Sequence, residues 1–181
     1  YKRSENNYYL VFAGAQERHD WDCLTKLQPV DGSVCLQKIT SQIGVLVLAG
    51  PKSRQVLQKL TDTELGNDHF KWLSGKPINV GFGHAEALRV NFIGELGWEL
   101  HHPIEMQNYI FDELMRAGAE FGIKPFGIRA MDSMRLEKSY RLIPREMSIE
   151  YAALESGLDR FIKLDKPNEF IGKQALINWR D

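Results

Sequence analysis

One segment, Arg89-Val-Asn-Phe-Ile-Gly-Glu-Leu-Gly-Trp-Glu-Leu100, constrains this chain more than any other. Its glycines, Gly94 and Gly97, stand three apart between two strand-like runs. That spacing forces a narrow backbone excursion that a residue carrying a Cβ resists. A glycine-rich nucleotide loop joins a strand to a helix, so a turn between two strands is not one. Along the second strand, alternation puts Trp98 and Leu100 on one face and Glu99 on the other. Where that second face lines a cavity, Glu99 can accept two parallel N–H donors from a planar, guanidine-like ring edge. Phe92, closing the preceding strand, then offers a flat apolar surface for stacking. In the competing reading, Glu99 is a solvated hairpin carboxylate and Phe92 a core residue.

Strand and helix signals alternate along the rest of the chain without a repeat. Tyr8–Ala13, Ile43–Leu48, Ile78–Phe82, Ala85–Phe92, Trp98–His101 and Arg160–Leu164 read as strands, with Gly83-His84 joining the third to the fourth. Gln16–Leu27 carries Trp21, Leu24 and Leu27 at helical spacing. Pro51 suits the first turn of a helix whose apolar stripe is Val56, Leu57 and Leu60. Glu105–Phe121, opened by Pro103, and Ile128–Tyr140 are the longer helices, and a last one begins within Phe170–Leu176. Clustered strand pairs with short turns, separated by helices, predict an α+β fold with antiparallel sheets and packed helices rather than a doubly wound parallel sheet.

Composition removes several function classes. The 181 residues carry 23 Lys+Arg against 24 Asp+Glu, with 43% hydrophobic and 26% charged residues. This is the balance of a globular protein with a real core. Near-neutral charge argues against nucleic acid or a polybasic membrane surface as partner. The longest apolar run, Val45–Ala49, is far too short for a bilayer span, and the polar start resembles no signal peptide. Cys23 and Cys35 provide no disulfide framework and no zinc motif, which fits a reducing compartment. No metal site is expected: His101 and His102 are strand neighbours whose side chains point to opposite faces. The chain opens on Tyr1 without an initiator Met, so a piece of a longer protein is expected.

Gly94-Glu-Leu-Gly-Trp-Glu99 resembles the Tyr-Thr-Gly-Glu-x-Gly-(Tyr/Phe/Trp)-Glu signature of the aminomethyltransferase family, the T-protein of the glycine cleavage system. The resemblance continues through Ala49-Gly-Pro51 and its helix, Met134-Arg-Leu-Glu137 and Phe170-Ile-Gly-Lys-Gln-Ala-Leu176, in the family's order and spacing. Within the superfamily, Arg135-Leu-Glu-Lys-Ser-Tyr-Arg141 and Thr40-Ser-Gln-Ile-Gly-Val-Leu46 look most like the folate-binding half of dimethylglycine and sarcosine dehydrogenases. In those enzymes a flavin domain lies upstream and a barrel-like domain downstream. The resemblance implies an incomplete T-protein-like fold. Residues 1–38 would end a ferredoxin-like subdomain, and residues 39–181 would form the main folate-binding α+β subdomain.

It also implies roles at particular positions. Glu99 matches the glutamate that binds the pterin 2-amino/N3 edge of tetrahydrofolate, and Phe92 matches a stacking tyrosine whose hydroxyl is lost here. Tyr9 and Val11 match positions lining the folate slot, Tyr1 is placed to touch it, and Arg135 is carried as a further binding candidate. From the residues alone, Asp132 and Arg135, three apart on a helix, pair with each other, and Arg135 reads first as structural. Ala13 stands where T-proteins carry a folate-contacting Asn, and Met131 replaces the first Arg of an Ala-Arg-Asp motif. Both departures fit the dehydrogenase branch. An Asp that orients the folate amine is expected about four residues before Tyr1, by the family's spacing. No catalytic residue is therefore assigned within the chain.

The implied function is a tetrahydrofolate-binding module, partnered by its own upstream FAD domain, in an enzyme that demethylates an N-methyl amine such as dimethylglycine or sarcosine. The one-carbon unit would be captured as methylene-tetrahydrofolate, in the cytoplasm or, in a eukaryote, the mitochondrial matrix. The fragment alone is expected to hold no flavin and to catalyse little, and Trp98 is expected to report folate binding. The alternatives are an aminomethyltransferase proper, a related folate-dependent demethylase of a sulfonium or methyl ether, and a non-catalytic binding or regulatory module.

Overall fold

A computed structural model describes residues 1–181. Its centre is a four-stranded antiparallel sheet of β3 (Ile43–Ala49), β4 (Gly75–Val80), β5 (Gly83–Leu88) and β6 (Gly97–Pro103), in the order β3-β6-β5-β4. A small hairpin, β1 (Lys2–Ser4) with β2 (Asn7–Tyr8), precedes it. The helices are α1 (Glu17–Leu27), α2 (Ser53–Gln58), α3 (Gln107–Gly118), α4 (Ile128–Glu137) and α5 (Lys173–Arg180). The expected α+β class with antiparallel sheets is what the chain adopts.

Register decides which side chains meet. Along β6, Trp98, Leu100 and His102 pair across to Leu48, Leu46 and Gly44 of β3, all on the face turned to α2 and α3. There Trp98, Leu100, Val80, Leu57 and Ile110 are fully buried, together with Phe70 and Leu65 from the connection after α2. The opposite face carries Val45 and Val47 of β3, Glu99 and His101 of β6, and Glu86 and Leu88 of β5, with Glu86 level with His101 and Leu88 level with Glu99. One face dry and one open is the usual state of an antiparallel sheet, and the alternating sequence of β6 encodes it.

The glycine-pinched bend behaves as its sequence requires, by two different means. Gly94 lies in left-handed backbone at φ +70°, against the stem of Lys138. Gly97 is not left-handed. It is small because a Cβ there would come within 2.5 Å of the Leu48 carbonyl oxygen of the neighbouring strand.

Several expected boundaries move. The β4–β5 hairpin turns at residues 81–82 rather than at Gly83-His84, with Gly81 at φ +59° making the corner. β5 stops at Leu88, because Leu73 and Ser74 take over as partners of the Arg89 backbone and β6 pairs no further. Of Tyr8–Ala13 only Tyr8 belongs to a strand; Tyr9 still exchanges backbone hydrogen bonds with Tyr1, and beyond it Leu10, Val11 and Phe12 have no strand beside them and stay half-exposed. Arg160–Leu164 is not a strand, since Asp159–Phe161 forms a single 3-10 turn and no partner strand lies alongside. α4 ends at Glu137 instead of Tyr140, where Ser139 takes φ +56° and reverses the chain.

Candidate functional site

Two concave regions border the open face of the sheet. The first has a volume of about 340 Å³ and is walled by the bend before β6, by the segment after α4 and by residues 157–161. That size lies in the range of small-molecule sites, which runs roughly from 300 to 1,000 Å³. Glu99 and Phe92 both line it, as do Trp72, Val90, Met147 and Leu158. The second, about 710 Å³, lies between the extended chain after β2 and α1, and contains Tyr9, Val11, Trp21, Leu24, Val45 and His101. Of the apolar stripe foreseen on α1, Trp21 and Leu24 face this cavity while Leu27 is exposed, and α1 buries no residue fully.

Glu99 sits on the rigid central strand β6, next to the bend, and its side chain is about a quarter exposed. One carboxylate oxygen, Oε2, lies 3.1 Å from His101 Nε2. A carboxylate offers about four lone-pair sites, so this contact leaves most of its accepting capacity toward the cavity. Phe92 comes from the loop that the two glycines pinch, and the Arg135 guanidinium lies 6.0 Å from its ring centroid. The group that a planar heterocycle needs at its polar edge and the ring it needs at its face therefore belong to one cavity.

Tyr9 and Val11 line the second cavity rather than the first. The Tyr9 hydroxyl meets His101 Nδ1 at 2.9 Å, with the two rings edge-on at 5.5 Å between centroids. Burial holds the Tyr9 phenol above its ordinary pKa, Arg3 over the ring opposes this, and Glu86 and Glu99 add to it. Tyr1 lines neither cavity. Its hydroxyl donates to the Gly75 carbonyl at 3.0 Å, its ring occupies the space a Cβ at Gly75 would need, and its carbonyl accepts from Tyr9 N.

Arg135 is the most thoroughly committed of the candidates. Its side chain is 1% exposed, and it donates to Asp132 at 2.7 Å, to the Tyr140 carbonyl at 2.7 Å and to Glu146 at 3.0 and 3.3 Å. The pair with Asp132 expected from their spacing forms, but it is buried at the guanidinium end and ties α4 to the segment that follows. This network keeps the carboxyls of both partners below their ordinary range. Asp132 is lowered mainly by Arg135, and Glu146 first by the Leu142 N–H and then by Arg135. Arg135 therefore shapes the wall behind Phe92 while its guanidinium is occupied by protein groups.

Three features of the site escape sequence reading. Trp72, 60% exposed, stands on the first cavity, whereas Trp98 is fully buried against Phe70 on the other face of the sheet and does not line the cavity. Arg141 and Arg160 bring positive charge to the same cavity, and Gly157, at φ +63°, is bare of a Cβ where the Arg141 guanidinium passes. In the sequence His101 reads only as half of a metal pair. The pair does split as strand alternation requires, His101 to the open face and His102 into the core. Only the pairing with Glu99 two residues earlier, on the same face, could have singled His101 out.

Comparison with known proteins places this geometry in a lineage. The profile of the GCVT N-terminal domain matches residues 1–166, and the chain belongs to that family. It is similar to human mitochondrial dimethylglycine dehydrogenase, 43% identical over 176 residues, covering 96% of this chain and 20% of that protein. Human mitochondrial sarcosine dehydrogenase is 35% identical, with 97% of this chain and 19% of that protein aligned. An aminomethyltransferase of Thermoanaerobacter sp. is 34% identical across 100% of this chain and 48% of its own length. The chain thus spans about a fifth of the dehydrogenases it matches and about half of the aminomethyltransferase. The resemblance read from the glycine-pinched motif and its three companion blocks is the family found. No helix is long and apolar enough to cross a membrane.

Proposed function

We propose that this chain is the tetrahydrofolate-binding module of a larger flavin-dependent dehydrogenase that demethylates an N-methyl amine, with dimethylglycine or sarcosine as the substrate class. The observation that carries the reading is that Glu99 and Phe92 line one cavity of about 340 Å³. The fit to a pterin follows from donor and acceptor chemistry. A pterin presents an amino group and a ring N–H side by side, and a carboxylate held on a strand accepts both in the fork geometry of an Arg–carboxylate pair. Phe92 and Trp72 supply aromatic faces, and Val90, Met147 and Leu158 supply apolar walls that exclude water from the rest of the ring. Tetrahydrofolate, when bound, supplies a nucleophilic ring nitrogen that takes up the one-carbon unit.

The part of this chain is binding and orientation. Fixing the heterocycle makes its encounter with a reactive iminium effectively intramolecular, an entropic gain that needs no acid or base within the module. Oxidation of the amine belongs to FAD in an upstream domain, and the similarity to the two dehydrogenases across nearly all of this chain supports that assignment. The two dehydrogenases are mitochondrial proteins, and that similarity supports a mitochondrial location in a eukaryote.

The test is a titration of the chain with folinic acid, a reduced folate, followed by tryptophan emission. Saturable quenching that disappears in Trp72→Phe and persists in the parent supports the reading. A parent titration with no change in emission, and no heat on calorimetry, refutes it.

A further inference from the structure

The wall between the two cavities contains a three-membered line of polar groups. His101 is 4% exposed and Tyr9 is 9% exposed. The Tyr9 hydroxyl lies 2.9 Å from His101 Nδ1, and His101 Nε2 lies 3.1 Å from Glu99 Oε2. An ionised carboxylate only accepts, so the Nε2 facing it must carry the proton. In the neutral ring Nδ1 is then bare and accepts from Tyr9, which can only be filled by a protonated phenol. The surroundings favour that assignment. Burial raises the Tyr9 phenol pKa, the charge of Glu86 adds to that, and Glu86, level with His101 on β5, is paired with Arg3 at 3.5 Å. In the neutral ring every proton in the line thus has one place.

A surface carboxylate ordinarily samples several rotamers, and a ligand that needs both its oxygens in one plane loses affinity to that freedom. We propose that His101 is a positioning residue. Locked by Tyr9, it donates Nε2–H to Glu99 and fixes the carboxylate in the orientation that receives the donor edge of a flat heterocycle, and it thereby sets the affinity of the first cavity. Because Glu99 lines the first cavity while His101 and Tyr9 line the second, an occupant of the second that displaces Tyr9 weakens binding in the first. The assignment rests on the reading of Glu99 given above.

Two measurements on the full chain test it. Long-range nitrogen–proton NMR of the imidazoles reads the His101 tautomer without any ligand, and calorimetry reads folinic acid affinity for the parent, Glu99→Ala, His101→Phe, His101→Gln and Tyr9→Phe. The expected result is a protonated Nε2 with bare Nδ1. In the same series His101→Phe binds about tenfold more weakly, the scale of one lost hydrogen bond to a charged group. His101→Gln, whose amide reaches the same place, recovers most of that loss, and Tyr9→Phe shows a smaller weakening. A protonated Nδ1, or His101→Phe binding like the parent while Glu99→Ala binds weakly, overturns the positioning role and leaves the proposed function standing. If neither Glu99→Ala nor His101→Phe alters the affinity, both fall together.

Discussion

A buried guanidinium that spends its hydrogen bonds on two carboxylates and a carbonyl has little left for a ligand, and Arg135 is in that position. Its helix position made a pair with Asp132 foreseeable, but Glu146 is eleven residues further on and no local pattern links the two. The network has a sign in pH. The Glu146 carboxyl is held below its ordinary 4.5, so its contribution to stability is present above that pH and disappears as the pH falls through the depressed value. Glu146→Gln is accordingly expected to be less stable than the parent near about pH 7, with the gap closing as acid titrates the parent. Urea unfolding at a series of pH values measures this, and a gap independent of pH would show that the carboxylate charge is not what holds Arg135. The Glu99 pair was legible for the opposite reason: Phe92 and Glu99 flank one bend, so the local pattern contains them both.

At the level of elements, β6 carries the account, because it divides the sheet into a dry face and an open face with period two. Its register against β3 depends on the close backbone approach at Gly97. Gly97→Ala should cost about 1–3 kcal/mol, the usual range for overpacking, and should weaken folate binding by moving Glu99. Leu100→Ala, on the dry face, should cost about 2–5 kcal/mol by opening a cavity in the core while leaving affinity in the surviving folded protein near that of the parent. Denaturant melts paired with calorimetry separate the two; equal effects on affinity would mean that β6 does not position Glu99 through its register. Helices and central strands were readable here because their apolar spacing is repeated over several turns or residues. The stretches Leu10–Ala13 and Arg160–Leu164 have strand-like composition but no strand to pair with, and pairing is a property of the tertiary structure.

The whole chain is a fifth of the dehydrogenases it resembles, and the half-exposed Leu10, Val11 and Phe12 beside the larger cavity are the kind of surface that further chain covers. The α+β class and the family were legible because four short motifs recur in order along the sequence. The separation of Tyr9 and Val11 from Glu99 into different cavities was not, since it depends on how the hairpin β1–β2 lies across the sheet. As a whole-molecule prediction, the proposed function has the purified chain show no flavin absorbance in the visible; a stoichiometric flavin spectrum would refute the proposed division of labour. The most direct test of the account is the calorimetric affinity of folinic acid for the parent and for Glu99→Ala, in chains shown by circular dichroism to be equally folded. The account predicts a loss of roughly 1.5–3 kcal/mol on removing the carboxylate. Equal affinities for the two chains would contradict it.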